Sequence, residues 1–372
     1  MLVIISGYNQ RAVIAFIRKL EEIGIGDYLI IASGEKDTIF LTRYAPKVYY
    51  TRKIASLSKP ELYGAFGKIR NEHPGEDVVI VPSTEALNRF LVENRAEIEA
   101  LGLIIPLVPR ETYETISDKR SFWELCRRSG FNVPELIPLT DEFTRKYVAK
   151  PKQYVSSRGE RLIPLIIDDR EKHAAFLKGY DPADFDIQEF VEGESCYLLY
   201  YLSRDGADYR YSQKNLLQQP GGKSIIAAES AELHREPIAD DYIRLLRSIG
   251  FHGFIMIEVR KNGNDFRMIE ANPRLWGPTQ LYVDAGAPFI EAFLHDCGIL
   301  DEVRPSAEPH KTYYYWSGGL SRKKLENDTE SVWLVRNKNE MFDRMDDFNA
   351  ADLFDRPDTT GLFQAELNGK KD

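Results

Sequence analysis

"FHGFIMIEVRKNGNDFRMIEANPRLWG", residues 251–277, places two apolar runs on either side of Asn262-Gly263-Asn264 and closes the second run with polar side chains. Alternating apolar residues around Asn-Gly predict a β-hairpin. Residues i and i+2 of a strand share a face, so Glu270 and Asn272 offer oxygen atoms side by side. Such donors suit Mg²⁺, a hard cation. Arg274 adds a planar cation that can grip a phosphate oxygen. Glu258 lies on the first run, and a hairpin folded about Asn264 sets it directly opposite Glu270. The two Cβ atoms would then be about 5 Å apart, and their carboxylates would repel unless a cation stood between them. A two-residue Asn262-Gly263 turn instead sets Glu258 against Arg267 and Glu270 against Ile255, on opposite faces. A shared Mg²⁺ site therefore predicts a longer loop or a bulge between Arg260 and Phe266. Gly263 can take positive φ there at little cost, and Asn264 tolerates it.

The chain has 372 residues, enough for two or three domains. With 43% hydrophobic and 29% charged residues its composition is that of an ordinary globular protein. The net charge of −9 argues against a broad nucleic-acid footprint. No apolar run reaches the roughly 18 residues that a membrane span needs. "MLVIISGYNQRAV" lacks a basic region before its apolar residues and reads as a first strand, not a signal peptide. Cys126, Cys196 and Cys297 are far apart without metal spacing, which fits reduced thiols in a cytoplasmic protein. The six histidines form no cluster, so no zinc site is expected.

"LVIISG" (2–7), "DYLIIASG" (27–34) and "EDVVIVPS" (76–83) alternate with helical patterns at 11–24 and 85–102. That alternation predicts a parallel α/β domain over residues 1–110. "SDKRSFWELCRRSGFNVPE" (117–135) reads as a helix capped by Ser117 or Asp118 and ended by Gly130. "KYVAKP", "LIPLIID" and "FDIQEFVEGESCYLLYYL" follow as strands of antiparallel character. Residues 278–298 read as helical. Beyond residue 301, "KTYYYWSGGLSRKK" suggests a strand and loop, and "TESVWLVRNKNEMFDRMDDF" a helix. "GGKS" (221–224) imitates a P-loop, but Leu217 stands where the motif's first glycine belongs, so it reads as a turn.

Taken together, the paired glutamates, E-x-N-P-R and W-G resemble the ATP-grasp superfamily, and a looser likeness extends over about residues 1–298. The nearest flavour is the carbamoyl-phosphate-synthetase-like carboxylate–amine ligase. The resemblance implies a mixed α/β and α+β fold, in which a parallel pre-ATP-grasp domain (1–110) precedes a two-lobed ATP-grasp unit. Its lid lobe would span 111–187 and its catalytic lobe 188–300, with a C-terminal extension at 301–372. "VAKP" is similar to the family's phosphate-binding strand, which makes Lys150 a ligand of the α/β-phosphates, with Lys119 opposite it. "IQEFVEGES" is similar to the adenine hinge. Glu189, Phe190 and Val191 would meet adenine, and Glu194 the ribose hydroxyls. "QKNLLQQPGGKS" would give Lys214 to the γ-phosphate, where relatives often carry arginine. Glu258, Glu270 and Asn272 would carry Mg²⁺, with Mn²⁺ as a substitute, and Arg274 would hold the transferred phosphoryl group. The loop "KQYVSSRGE" (152–160) has one glycine where the family often has several.

The implied activity joins a small carboxylate to an amine through an acylphosphate, releasing ADP and phosphate. A kinase, a thiol ligase or a non-catalytic ATP-binding module are the alternatives. A homodimer is compatible with the resemblance, and no nucleic-acid or membrane partner is expected.

Overall fold

The computed structural model describes residues 1–368 except 55, 154, 157, 161, 305–307 and 321–330. The chain opens with β1 (Leu2–Ile5), α1 (Gln10–Glu22), β2 (Tyr28–Ala32), β3 (Val48–Thr51), α2 (Lys59–Glu72), β4 (Val78–Ile80), α3 (Glu85–Glu93), α4 (Arg95–Ala100) and β5 (Leu103–Ile104). The strands form one parallel sheet in the order β3-β2-β1-β4-β5. Strands β1, β2 and β4 are apolar runs because both faces are covered, whereas the edge strand β3 is half-buried. Leu2, Ile4 and Ile30 face α1, whereas Val3, Ile5 and Ile31 pack with α2 and α3 residues. The single helix expected over 85–102 is two, broken at Asn94.

A second unit begins with α5 (Arg110–Ser117) and α6 (Lys119–Arg128). The Asp118 carboxylate caps α6 by accepting from the Ser121 N–H at 2.8 Å, which decides between the two expected caps. β6 (Tyr147–Pro151), β7 (Leu165–Ile167), α7 (Arg170–Gly179) and β8 (Phe185–Glu189) follow. The three strands pair antiparallel in the order β7-β6-β8 around a small core that includes Tyr147, Ala149 and Phe176.

The largest sheet contains β9 (Glu194–Leu202), β10 (Asp208–Gln218), β11 (Ile225–Ser230), β12 (Gly253–Asn262), β13 (Asp265–Asn272) and β14 (Tyr313–Tyr315), in the order β13-β12-β9-β10-β11-β14. β15 (Val332–Trp333) pairs with the far end of β10. β9 is central, and every one of its residues but Glu194 is buried. Tyr197, Leu199 and Tyr201 pack on one face with α1, α9 (Thr279–Asp284) and α10 (Phe289–Asp296). Cys196, Leu198 and Tyr200 pack on the other with α8 (Pro237–Ser248). No helix among the described residues is long and apolar enough to cross a membrane.

The hairpin resolves the conflict over register in an unforeseen way. Glu258 does stand opposite Glu270. The turn is nevertheless tight: Asn262 pairs with Asp265 around Gly263 and Asn264. Positive φ falls on Gly263 alone (+60°), the pattern of a II′ turn. The extra residue lies farther up β13, where the register shifts between Glu258 and Val259 and leaves Ile269 as a bulge. The irregularity expected between Arg260 and Phe266 is therefore not there. The sequence reading sought it at the glycine, whereas the edge position of β13 lets the strand itself absorb it.

The C-terminal residues close back on the first domain. Arg18 of α1 donates from Nε to Asp358 at 2.8 Å and from Nη1 to the Leu353 carbonyl at 2.7 Å. Asp358 also accepts from the Tyr44 hydroxyl at 2.7 Å. Both charged side chains are at most 10% exposed. Burial alone would raise the Asp358 pKa, but Arg18 and Tyr44 hold it below the ordinary carboxylate value. This contribution is present above the unfolded pKa and is lost as pH falls through the folded one. Asp358→Ala leaves the Arg18 guanidinium uncompensated, and a loss of about 3–5 kcal/mol is expected, measured by urea unfolding at neutral pH. Loss below about 1 kcal/mol, the scale of an exposed ion pair, would show that the tail is not anchored by this pair.

A cleft between two sheets as the candidate active site

A cavity of about 690 Å³ opens between the three-stranded lobe and the large sheet. Three groups of residues line it. Val148, Lys150, Glu189, Phe190 and Val191 come from the small lobe and the connection that leaves it. Glu258, Arg260, Ile269, Glu270, Asn272 and Arg274 come from the hairpin and the residues after it. Tyr8, Asn9, Arg11 and Thr84 to Ala86 come from the parallel domain, with Lys223 and Ser224 beside them.

The bulge gives Lys150 its position. Its ammonium donates to the Ile269 carbonyl at 2.9 Å, so β6 of the small lobe reaches across to the edge strand of the large sheet. Desolvation lowers the Lys150 pKa to about 8, with the neighbouring Lys119 adding to the shift and Glu270 opposing it. Lys119, the first residue of α6, places its Nζ 3.7 Å from a Glu270 oxygen.

The glutamates differ in their surroundings. Burial raises the Glu258 pKa, and the nearby Glu270 charge adds to this against the pull of Arg260. Burial acts on Glu270 too, but Lys119, Lys150, the Asn272 amide and Arg274 hold it below its ordinary value. Asn272 donates to Glu270 Oε1 at 3.0 Å, and Arg274 donates to Asn272 Oδ1 at 3.0 Å. Two opposed carboxylates and an amide oxygen form a hard, oxygen-only donor set that fits Mg²⁺. The raised Glu258 pKa reflects burial first and the opposed Glu270 charge second, and a divalent cation would offset both.

Sequence reading missed what holds Glu258. Its Oε1 accepts from the Ser195 hydroxyl at 3.1 Å, and Ser195 Oγ accepts from Asn215 Nδ2 at 3.0 Å. Asn215 Oδ1 accepts from Gln213 Nε2 at 2.7 Å. Ser195, Asn215 and Gln213 are all buried. The signal was present in the strand period: Ser195 stands two residues from Tyr197, which pairs with Glu258, and so shares its face.

The hinge residues lie where the connection leaves the ladder. Phe190–Gly193 separate β8 from β9 as irregular chain. Gly193 has φ +132°, and a Cβ there would stand 2.6 Å from the Lys261 carbonyl oxygen, so only glycine permits this approach. The Glu189 carboxylate accepts from the Glu135 N–H at 3.0 Å and pairs with Arg267. Lys146 lies 3.5 Å above the Phe190 ring.

Lys214 and Glu194 are not among the residues lining this cavity. They pair with each other at 2.8 Å in an adjoining cleft of about 1350 Å³, where Lys214 also approaches Glu340 at 3.4 Å. Lys214 is next in sequence to Asn215, and in a strand the two point to opposite faces. Of the loop 152–160, Tyr154 and Ser157 lie outside the described residues. The "GGKS" segment, read as a turn, is one: a short 3-10 helix ends at Gly222, and Lys223 and Ser224 then border the cavity.

Two experiments test the geometry. Ser195→Ala removes the hydroxyl that orients Glu258. It is expected to weaken Mn²⁺ binding, read by electron paramagnetic resonance in the presence of ADP, by about tenfold, within the range for outer-shell partners. Ser195→Thr should retain most of the affinity, and equal affinity in the alanine variant would dismiss the orienting role. Lys150 supplies a pH signature. As pH rises through about 8 the free protein loses this ammonium, so ATP affinity should fall. Between that pH and the unfolded lysine pKa the unfolded chain binds the extra proton, so this group's contribution to folding stability falls as pH drops below the unfolded value and is regained as pH rises. In calorimetric titrations from about pH 7 to about pH 9.5, a range that brackets the shifted and ordinary lysine values, Lys150→Met should abolish the decline in ATP affinity.

No protein-family model and no curated protein matches the sequence. Solved structures do match. The biotin carboxylase domain of Hydrogenobacter thermophilus 2-oxoglutarate carboxylase, in complex with MgADP, ADP and bicarbonate, aligns at a TM-score of 0.58 and 13% identity, covering 84% of this chain and 73% of that one. N5-carboxyaminoimidazole ribonucleotide synthetase from Thermus thermophilus aligns at 0.59 and 15% identity, covering 84% and 82%. An L-amino acid ligase from Bacillus licheniformis aligns at 0.54 and 15% identity, covering 82% and 77%. With the parallel first domain, the three-stranded lobe and the large antiparallel sheet in this order, the chain has the ATP-grasp fold.

Proposed function

We propose that the protein is an ATP- and Mg²⁺-dependent ligase that joins a carboxylate to an amine. The observation that carries this reading is the Glu258–Glu270 pair, set in register, with Lys119, Lys150, Asn272 and Arg274 around it. The MgADP complex of the Hydrogenobacter thermophilus domain, and the synthetase and the amino acid ligase among the other neighbours, support it.

Glu258, Glu270 and Asn272 would hold Mg²⁺, which when bound neutralises β/γ-phosphate oxygens. Phe190 and Val191 would receive adenine on the irregular hinge. Lys150 would leave the Ile269 carbonyl for the α/β-phosphates, and Lys119 would approach them from the helix side. Arg274 would hold the γ-phosphoryl group as it moves, since such transfer depends on positioning and charge stabilisation. An oxygen of the substrate carboxylate attacks the γ-phosphorus as its bond to ADP breaks, giving an acylphosphate. The amine nitrogen then attacks the acyl carbon, the bond to phosphate breaks, and the nitrogen gives up its proton. Contacts of Glu194 with ribose and of Lys214 with the γ-phosphate would require their ion pair to open, so both rank below the residues that line the cavity.

The test is a panel of carboxylate–amine pairs with Mg–ATP, following nucleotide by chromatography and product by mass. ADP, phosphate and an amide are expected in equal amounts. AMP as the main nucleotide would reject the acylphosphate route, ADP without amide would indicate a kinase, and no turnover with tight Mg–ATP binding would indicate a binding module. Glu270→Gln, which removes one ligand charge at nearly constant volume, should abolish turnover without unfolding the protein. Near wild-type turnover in that variant would remove Glu270 from the metal site.

A further inference from the structure

The cavity continues past Arg274 to a second set of groups at the parallel domain. Arg11 there is half-buried and held rigidly by neutral partners. Its Nη2 donates to Ser224 Oγ at 2.7 Å, and its Nη1 to the Ile225 carbonyl at 3.2 Å and the Tyr314 hydroxyl at 3.3 Å. Its guanidinium lies 4.2 Å from the centre of the Trp316 ring. Close approach is built in on the other side, since a Cβ on Gly277 would come within 2.8 Å of Nη2. Among the described residues no carboxylate pairs with Arg11. A guanidinium carries five N–H donors, and these three bonds leave donors over. Lys223 also lines this end, and its ammonium has no acidic partner among the described residues. The one carboxylate at this end, Glu85, is engaged by Arg89 at 3.1 Å.

A half-buried cation with neutral partners is electrostatically incomplete, because desolvation is not offset by an opposite charge. In the ligase reading Arg274 holds the γ-phosphoryl group that the reacting carboxylate attacks, so that end of the substrate already meets a cation. Arg11, with the exposed Lys223 beside it at the cavity wall, is thus surplus to a substrate with one negative charge.

We infer that the carboxylate substrate carries a second anionic group, which Arg11 and Lys223 hold against the parallel domain while the first carboxylate faces Arg274. This inference rests on the ligase reading of the same cavity. The second group is a carboxylate or a phosphate, which share the fork geometry that a guanidinium matches. Cations at both ends of the cavity would favour a compact dianion over a monoanion of the same length.

The test is calorimetric binding to the full chain loaded with Mg–ADP. Succinate and glutarate probe a second carboxylate, 3-phosphoglycerate, counted with them as carrying two anionic groups, probes a phosphate, and butyrate and pentanoate serve as singly charged analogues of similar length. At least one dianion should bind tenfold or more tightly than either monoanion, and Lys223→Ala and Arg11→Met should each weaken it by tenfold or more. Mg–ADP affinity, measured separately for each variant, reports whether the nucleotide cleft is intact. Arg11→Lys, which keeps the charge but loses the fork, should recover part of the affinity if Arg11→Met proves poorly folded. Equal binding of mono- and dianions, dianion affinity unchanged in Lys223→Ala, or no dianion binding to protein that holds Mg–ADP would each overturn the inference. Failure of Mg–ADP to bind at all would instead overturn the ligase reading.

Discussion

The alignment of Glu258 with Glu270 is the constraint around which the rest of the cleft is organised. A buried acid, Glu258, and a half-buried one, Glu270, face one another across an edge hairpin. Keeping them opposed needs one extra residue in β13, and the tight turn at Gly263 has no room for it. The bulge at Ile269 accommodates that residue and turns a backbone carbonyl towards the small lobe. Lys150 bonds to this carbonyl, which brings a cation to the acids and links the two sheets. Register, acid pair and interlobe contact are therefore aspects of one local backbone irregularity.

The unequal electrostatics of the two acids follows from the same arrangement. Glu270, at the outer edge, collects Lys119, Lys150 and Arg274, whereas Glu258, one strand inward, has Arg260 at 3.8 Å and is oriented by a chain of neutral donors ending at Gln213. Neutral donors fix a carboxylate's direction without cancelling its charge. One acid is thus kept ionised and the other is kept aimed.

Much of this is legible in the residues, and the failures have physical causes. Strands with both faces buried read as apolar runs, so the parallel domain is visible in the sequence, although β3 and α2 do not stand out. The hairpin register follows from the need to keep two acids together. Its irregularity is misplaced by sequence reasoning because a glycine is the obvious site for one, whereas an unpaired strand edge tolerates a bulge at an ordinary isoleucine. Lys214 attracts notice as a charged residue on a strand. The pleat turns its neutral neighbour Asn215 to the acids instead, and neutral side chains carry no motif. Arg11 is invisible in the sequence, since its partners come from segments far along the chain, such as that of Ser224, 213 residues away.

The anchoring of the tail bears on the order in which this molecule can be completed. Arg18 and Asp358 are 340 residues apart, a separation that makes their contact costly to form early. During synthesis the parallel domain is made well before the segment that carries Asp358. The Arg18 charge on α1 meets the neutral Gln280 of α9 earlier, but lacks its acidic partner until that later segment has been made. A domain made early is in this respect finished late, because the charge on its helix is balanced only by a segment added long afterwards.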